Sequence, residues 1–300
     1  SLEEMRDAFC CDEMQVVIGI GGGSAIDMAK AMAVLTHNKA AAISYRGFDK
    51  MTEPVLPIIA IPTTAGTGSE VTPNASFIDS ENNRKMGING EAVRPAYAFL
   101  DPELTLSCPK GPTISAGVDS LVHATEAFVA KKTNPLARHF AKEGFKRVIR
   151  SLPILIDEPN NIGLRSEIMY GAFLSGIGLM HSGTGPAAAM SYPLGVRYKV
   201  PHGIGGATFL PHVAELNVKR GYYGYGELVK GRDNEEGAVA FIELLKEVFC
   251  GLGIDHSLEK YSILRDEFIN DTLELGGALE QNPVPFGEAE INKVLDILKV

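Results

Sequence analysis

The sequence predicts an α/β domain followed by an all-helical domain. In the first hundred residues, short continuous apolar runs lead directly into segments rich in glycine and small polar residues. Short apolar strands that alternate with helices are typical of a parallel sheet covered by helices on both faces. After Pro109 the apolar residues recur every three or four positions, which indicates helices. We therefore place a boundary near residue 105, giving domains 1–105 and 106–300.

Three apolar runs predict the strands of the first domain. Residues 14–20 read MQVVIGI, end in GGGS and continue into AIDMAKAMAVL, which has helical spacing. The run PVLPIIAIPT ends in TTAGTGSE, and the run AYAFLDPELT closes the domain. Because one short segment, SLEEMRDAFC, precedes the first strand, we expect the N-terminal part of this domain to be missing.

Helical patterns divided by proline, glycine and asparagine fill the second domain. The clearest are ISAGVDSLVHATEAFVAKK, PLARHFAKEGFKRVIRSLPILI, RSEIMYGAFLSGIGLM and AVAFIELLKEVFCGLG. None of them alternates in the way of a half-buried strand, so the second domain is predicted to be all α.

Composition narrows the classes of function. The chain has 300 residues, is 45% apolar and carries a net charge of -9 without a basic run, so we expect no nucleic-acid surface. No apolar run reaches the roughly 18 residues that span a bilayer, and we expect no membrane association. Four cysteines are too few and too irregularly spaced for a disulfide framework or a CxxC metal site. We expect free thiols in a cytoplasmic protein whose partners are small molecules.

Two loops at predicted strand ends are candidates for phosphate binding. The first consists of Gly21, Gly22, Gly23 and Ser24 and opens a helix, where free N–H groups and the helix dipole favour an anion. Its spacing is neither GxGxxG nor that of a P-loop, and a triple glycine after a strand is also a common structural turn. The second loop offers hydroxyl groups at Thr63, Thr64, Thr67 and Ser69. Two such loops at neighbouring strand ends would flank one crevice.

A carboxylate and two imidazoles form a candidate metal site in the second domain. Asp119 and His123 are four residues apart in GVDSLVHATEAF, so on a helix their side chains lie on one face. His202 lies near a predicted helix start in KVPHGIGGA. A lone histidine is more often a core or capping residue, but together the three groups suit zinc or ferrous iron.

Two further histidines are weaker candidates. His181 ends a predicted helix before Ser-Gly, where an imidazole also caps carbonyl groups, and we consider it as a tentative further ligand. His212 follows Pro211, and we expect a structural role for it.

The order and spacing of these motifs resemble the iron-containing (group III) alcohol dehydrogenase family. The matching strings, from about residue 14 onward, are GGGSAIDMAK, IPTTAGTGSEVT, KMGI, LDPELT, GVDSLVHATEAF, YPLG, VPHGIGGA and QNPVPFGEAEINKVLDIL. The resemblance implies a dehydroquinate synthase-like fold, with a dinucleotide-binding α/β domain and a helical domain. It further implies that the cleft between them holds NAD or NADP and a divalent metal, Fe²⁺ in the first place and Zn²⁺ as the alternative. Family members also carry several tens of residues before the triple glycine.

The resemblance also assigns residues to roles. The first loop corresponds to the pyrophosphate loop, with Asp27 one turn into the next helix, and the second loop also contacts the cofactor. Lys85 of KMGI corresponds to a lysine near the nicotinamide. Three of the family's four metal ligands correspond to Asp119, His123 and His202.

At two positions the chain departs from the family. Ala188 occupies the position of the fourth metal ligand, a histidine in family members, and alanine has no ligating atom. The resulting alternatives are ligation by His181, a water in the vacant position, or weak or absent metal. Tyr192 stands where some members have a histidine implicated in proton relay. It is a tentative catalytic residue through a hydrogen bond to the substrate oxygen, with aromatic packing as the alternative.

The resemblance implies an NAD(P)-dependent alcohol dehydrogenase that interconverts a small alcohol and its aldehyde or ketone by hydride transfer, with the metal as a Lewis acid. Two alternatives remain. One is a dehydroquinate-synthase-like or glycerol-dehydrogenase-like enzyme on the same fold, and the other is a degenerate member with weakened metal binding. We also expect a homo-oligomer, as a dimer.

Overall fold

The computed structural model describes residues 2–9, 14–79, 82, 84–254 and 257–300. Its strands are Val17–Gly21 (β1), Gly47–Phe48 (β2), Ile58–Pro62 (β3), Asn74–Asp79 (β4), Arg84–Asn89 (β5) and Tyr97–Ala98 (β6). Its helices are Leu2–Phe9 (α1), Gly23–Leu35 (α2), Lys110–Val129 (α3), Pro135–Asp157 (α4), Ile162–Met180 (α5), Pro186–Tyr198 (α6), His202–Lys219 (α7), Gly226–Val229 (α8), Glu235–Gly251 (α9), Arg265–Leu273 (α10), Gly276–Leu279 (α11) and Glu288–Ile297 (α12). The prediction of an α/β part followed by a helical part is confirmed.

The first sheet is parallel and places the two candidate loops side by side. Its strand order is β1-β3-β6, and Val17 of β1 lies beside Ile58 of β3. The same register brings Gly21 beside Pro62 at the carboxyl ends of both strands. Because parallel neighbours end at the same edge, the loops GGGS and TTAGTGSE lie side by side at that edge of the sheet.

One face of this sheet is covered and the other is exposed in the described part of the chain. Helix α2 packs on the face that contains Val17, Ile58 and Ala60, which are buried. The opposite face leaves four large apolar side chains more than half exposed: Ile18, Ile20, Tyr97 and Phe99. The prediction that helices cover both faces is therefore wrong for these residues. Apolar residues on both sides of a strand indicate only that both faces of the sheet are apolar. They do not indicate that a helix covers each face.

The second sheet has the order β2-β5-β4 and contains a hairpin that the apolar runs did not reveal. Strands β4 and β5 pair antiparallel, with Ile78 opposite Lys85 and Asn74 opposite Asn89. Strand β2 pairs parallel with β5, with Gly47 beside Ile88. The hairpin carries Lys85 toward the helical part of the chain, where it reaches the candidate site described below.

The helical part is built around α3. Every residue from Gly117 to Val129 is buried, since α3 is packed by α4, α5 and α7. A helix buried on all sides normally carries apolar residues all round. Helix α3 instead buries Asp119, His123 and Glu126. Buried ionisable groups cost free energy unless they are paired, hydrogen-bonded or bound to a metal, so these three residues mark a site.

The α/β elements end with a short 3₁₀ helix at Pro102–Thr105, and α3 begins at Lys110. The division into domains 1–105 and 106–300 stays a prediction. Among the described residues, no helix combines the length and the apolar character needed to cross a membrane.

Candidate metal and cofactor site

Asp119, His123 and His202 converge on one point. Asp119 Oδ1 lies 3.6 Å from His123 Nε2 and 3.9 Å from His202 Nε2. One ligand atom from each residue lies within 4.8 Å of those of the other two. The first two residues are one turn apart on α3, as their spacing predicts, and His202 is the first residue of α7. One carboxylate and two imidazoles are a donor set suited to Zn²⁺ or Fe²⁺.

A close helix contact brings His202 to α3. A Cβ atom on Gly203 would lie 2.0 Å from the carbonyl oxygen of Ser115 and 2.8 Å from Cβ of Asp119. No side chain fits there, so glycine lets the start of α7 touch α3. The glycine after His202 in VPHGIGGA thus determines how near His202 lies to Asp119.

Ser191 decides which nitrogen of His202 carries the proton. The Ser191 hydroxyl donates its proton to the carbonyl oxygen of Ala188 (2.6 Å), and its oxygen lies 2.6 Å from His202 Nδ1. A hydroxyl has a single proton, so Ser191 must accept from Nδ1–H of His202. The lone pair of His202 is thereby assigned to Nε2, which faces Asp119. Metal-ligating histidines commonly have their second nitrogen held in this way.

Burial shifts the pKa values of two of the three side chains toward their neutral forms. Burial, with smaller contributions from the charges of Lys85 and His123, lowers the pKa of His202 well below its ordinary value. Burial raises the pKa of Asp119, opposed by the nearby His123 and Lys85. In the described part of the chain, the Asp119 carboxylate contacts the imidazoles of His123 and His202, and His123 Nδ1 is buried without a hydrogen-bond partner. An ionised carboxylate held away from water is costly unless it is paired, and a bound cation would offset that cost.

Lys85 and Tyr192 lie against the same group. The Tyr192 ring stacks on His202, with centroids 4.8 Å apart and an interplanar angle of 11°. Lys85 Nζ lies 3.7 Å from the centroid of the same ring, a cation–π contact. The ring thus joins a cation of β5 to an imidazole of α7.

Neither His181 nor Ala188 places a ligating side-chain atom beside the Asp119 group. His181 is exposed at the end of α5, where its carbonyl oxygen accepts a hydrogen bond from Asn134 Nδ2 (3.4 Å). It is not part of the ligand group, so the structure does not support it as a further metal ligand. Ala188 is buried on the first turn of α6 and contributes only backbone atoms. His212, near Glu215 on α7, is outside the group as well.

A cleft of about 490 Å³ joins this group to the second loop. Its walls include Thr67 and Ser69 of that loop, Lys85 and Met86 of β5, and all three members of the Asp119 group. This volume lies within the usual range of small-molecule sites, about 300–1,000 Å³.

The first loop opens a helix whose N-terminus is not capped by a side chain. Helix α2 has 13 residues and begins at Gly23, after the N-cap Gly22. The first amides of such a helix are available to a phosphate group. Thr63 of the second loop donates its amide proton to the carbonyl oxygen of Gly21 (2.9 Å), and Thr64 packs against Gly22. The two candidate loops therefore contact each other directly.

Asp27 connects the helix to the second loop. One of its oxygens accepts a hydrogen bond from Ser69 Oγ (2.5 Å), and the other accepts from the amide of Ser76 (2.9 Å). Both oxygens are thus already engaged by the protein, although Asp27 also lines the cleft. These contacts favour a role in holding the loop over a direct contact with the cofactor.

Three residues around the site were not predicted from the sequence. Lys30 is buried on α2 and donates to the carbonyl oxygens of Thr72 (2.9 Å) and Asn74 (2.6 Å), and burial lowers its pKa to about 8. Ser191 and Glu126 are the others. A lysine within the apolar helix AIDMAKAMAVL and a glutamate three residues after His123 were the available signals, and Ser191 gave none.

Glu126 holds the start of α6. Its carboxylate accepts hydrogen bonds from the amides of Gly185 (2.7 Å), Ala187 (2.7 Å) and Ala188 (3.2 Å). Burial nevertheless raises its pKa to about 7. Through this residue α3, which carries Asp119 and His123, positions the helix that carries Ser191 and Tyr192.

Two family models match this chain. Residues 1–102 match the family described as iron-containing alcohol dehydrogenase, and residues 113–298 match the C-terminal part of the Fe-containing alcohol dehydrogenase family. The chain belongs to the iron-containing alcohol dehydrogenase family. The resemblance identified from the sequence motifs is confirmed.

Three members of the iron-containing alcohol dehydrogenase family illustrate the likeness. The NAD-dependent methanol dehydrogenase of Bacillus methanolicus is 36% identical over 217 residues, 72% of this chain and 57% of that protein. The 1,3-propanediol dehydrogenase of Citrobacter freundii is 29% identical over 303 residues, 98% of this chain and 77% of that protein. The sulfoacetaldehyde reductase of Bifidobacterium kashiwanohense, solved in complex with NAD⁺, has a TM-score of 0.90 at 28% identity, covering 99% of this chain and 79% of that one. The chain thus spans only part of the length of these relatives.

Proposed function

We propose that this protein is a metal-dependent, NAD(P)-linked oxidoreductase that interconverts a small alcohol and its aldehyde or ketone. The observation that carries the proposal is the convergence of Asp119, His123 and His202 on the wall of a cleft that the second candidate cofactor loop also lines. A metal site beside a phosphate-binding crevice suits hydride transfer to or from a nicotinamide. The names of the relatives cited above support alcohol or aldehyde chemistry over that of dehydroquinate synthase.

The roles of the residues follow from their positions. Asp119, His123 and His202 would hold the metal, Fe²⁺ or alternatively Zn²⁺, and three protein ligands leave a position open for the substrate oxygen. Gly21, Gly22, Gly23 and Ser24 would bind the pyrophosphate of NAD or NADP, with Thr63, Thr64, Thr67 and Ser69 on the second side of the crevice. When bound, the metal supplies a Lewis acid and the nicotinamide a hydride acceptor or donor.

The remaining residues orient these groups. Ser191 keeps Nε2 of His202 unprotonated and directed at Asp119, and Asp27 holds the second loop on α2. Lys85 brings a positive charge to the side of the cleft next to Tyr192, where we place the nicotinamide end of the cofactor. The Tyr192 ring shields His202, and we propose that its hydroxyl contacts the substrate oxygen. We further propose a cytoplasmic homodimer.

Ala188 supports a second candidate, a member of the family with weakened metal binding. The buried methyl group of Ala188 cannot replace a histidine ligand, so the donor set consists of three residues. Metal content and cofactor binding, measured separately, decide between the two candidates.

The test uses Asp119→Asn and His202→Ala. Removal of an outer-shell partner of a ligand lowers metal affinity by about 10–100-fold, so loss of a ligand should lower it by at least about 100-fold. Zn²⁺ and Co²⁺ affinities are measured by calorimetry, metal content by elemental analysis, and NADH binding by fluorescence. We expect both variants to lose metal and keep NADH binding. His181→Ala, which changes an exposed imidazole outside the group, is the matched control. Equal metal affinity in wild type and both variants would refute the proposed site, and wild type that binds NADH but no metal would identify the weakened member.

A further inference from the structure

A smaller cavity of about 40 Å³ adjoins the cleft. The two spaces share Lys85, Tyr192 and Leu275, so they meet at the aromatic ring that stacks on His202. A water-sized group needs about 10–15 Å³ of such volume. The side cavity therefore has room for about three such groups, which is the size of a carboxylate or a similar small anionic head group.

Two cations of the side cavity have no carboxylate within ion-pair distance among the described residues, although Lys85 is near enough to Asp119 for their charges to interact. The charged residues of its wall are Arg46, Arg84, Lys85, Asp271 and Glu274. Glu274 is paired with Arg84 (3.1 Å). Asp271 is paired through both oxygens with Arg197 (2.6 and 3.2 Å). Within the residues that the structure describes, neither Arg46 nor Lys85 forms an ion pair, and the contact of Lys85 is with the Tyr192 ring.

The backbone explains why these cations lie together. Arg46 directly precedes β2, whose Gly47 lies beside Ile88 of β5, and Lys85 belongs to the same strand β5. The wall of the side cavity carries three basic residues against two acidic ones, although the chain as a whole has a net charge of -9. A concave, positively charged wall concentrates anions.

We propose that the substrate carries a carboxylate or sulfonate group that binds in the side cavity between Arg46 and Lys85. Its alcohol or aldehyde carbon then lies at the Asp119 group, separated from the anion by the width of the Tyr192 ring. Arginine and lysine bind such oxyanions through charge-assisted hydrogen bonds, and arginine does so with a planar fork of donors. This inference rests on the proposed function, since it names the substrate class of the same site.

The experiment compares 4-oxobutanoate with butanal, which have the same chain length and differ in the terminal carboxylate. The kcat/KM values for both aldehydes are measured with NADH and NADPH. We expect wild type to favour 4-oxobutanoate by about tenfold or more. Arg46→Gln should abolish most of this preference through a higher KM for 4-oxobutanoate, with butanal reduction unchanged, because the contact binds ground state and transition state alike. Arg94→Gln, at an exposed arginine paired with Glu91, is the control and should behave as wild type.

A second measurement does not depend on turnover. Calorimetric titration with 4-hydroxybutanoate should show binding that weakens in Arg46→Gln and at high salt, while 1-butanol binding stays the same in both proteins. If neither aldehyde is reduced, the proposed function fails, and this titration alone judges the anion site. The anion site is overturned if wild type shows no preference, if Arg46→Gln keeps it, or if 4-hydroxybutanoate does not bind. It is also overturned if Arg46→Gln weakens NADH or NADPH binding instead, since the cation would then serve the cofactor.

Discussion

A single hydrogen bond determines whether His202 can offer a lone pair to a cation between Asp119 and His123. Ser191 has one proton, and its donation to the Ala188 carbonyl oxygen assigns the second proton in the pair to His202 Nδ1. His202 therefore presents a lone pair to the point where Asp119 and His123 converge. The side chain at position 188 lies next to this arrangement. It precedes Ser191 by three residues and Tyr192 by four, so all three share one face of α6.

The shared helix face predicts that Ala188→His strengthens metal binding. A histidine there would add a fourth nitrogen on the side of His202, and we expect Zn²⁺ affinity to rise by about tenfold or more. Occupancy is measured in a series of chelators of increasing strength. Ala188→Leu fills the same buried position without a nitrogen and controls for packing. Equal occupancy in Ala188→His and wild type would show that position 188 does not face the metal.

At the scale of elements, Glu126 couples α3 to α6. The carboxylate accepts three amide hydrogen bonds at the start of α6, where the helix dipole favours negative charge. Burial outweighs these contributions and raises the pKa from 4.5 to about 7. Because the folded protein then retains a proton that the unfolded chain has lost, the free energy of unfolding falls as pH rises from 4.5 to about 7.

The coupling predicts a pH-dependent difference between wild type and Glu126→Gln. The variant carries no titrating group at this position, so the stability of wild type relative to the variant should decrease by roughly 3 kcal/mol between pH 4.5 and pH 8. Urea unfolding of both proteins with a chelator present, at several pH values, gives this difference. Glu236→Gln, at an exposed glutamate of α9, should show no such trend. A pH-independent difference for Glu126→Gln would mean that Glu126 titrates near its ordinary pKa.

In the whole molecule, the loop TTAGTGSE contacts both halves of the chain. On one side Ser69 is hydrogen-bonded to Asp27 of α2. On the other side Gly68, with φ +67°, lies against Gly176 of α5 so closely that a Cβ atom would be 2.7 Å from the Gly176 Cα atom. The backbone conformation and the contact both require glycine at this position. The loop thus joins α2 to α5 beside the cleft that Thr67 and Ser69 line.

The contact predicts that Gly68→Ala weakens both the fold and the cofactor site. Left-handed backbone costs an alanine about 1–2 kcal/mol, and the displaced loop adds to this. We expect the free energy of unfolding to fall by at least about 1 kcal/mol and NADH affinity to drop, as measured by urea unfolding and fluorescence titration. Gly111→Ala is the control, because no atom lies within 4 Å of a Cβ atom there, and alanine in a helix stabilises by about 0.4–1 kcal/mol. If Gly68→Ala binds NADH as wild type does, the loop contact does not shape the cofactor site.

Local signals account for most of what the sequence predicts correctly. The spacing of Asp119 and His123 determines their shared face on α3, because both lie on one regular helix. The apolar runs before GGGS and TTAGTGSE place both loops at one sheet edge, because parallel strands end together. The exposed second face of the first sheet and the hairpin with Lys85 were not predicted, because neither depends on the pattern of a single segment.

The sequence by itself determined the family, the two candidate cofactor loops and the three candidate ligands, since each of these follows from short motifs in a given order. Only the tertiary structure decided the tautomer of His202, the role of Glu126 and the position of Lys85 on Tyr192. It also placed His181 outside the ligand group and Arg46 in the side cavity. The physical reason is that these contacts join residues of separate elements. Their distances depend on how closely the helices and strands pack, which is a property of the folded molecule.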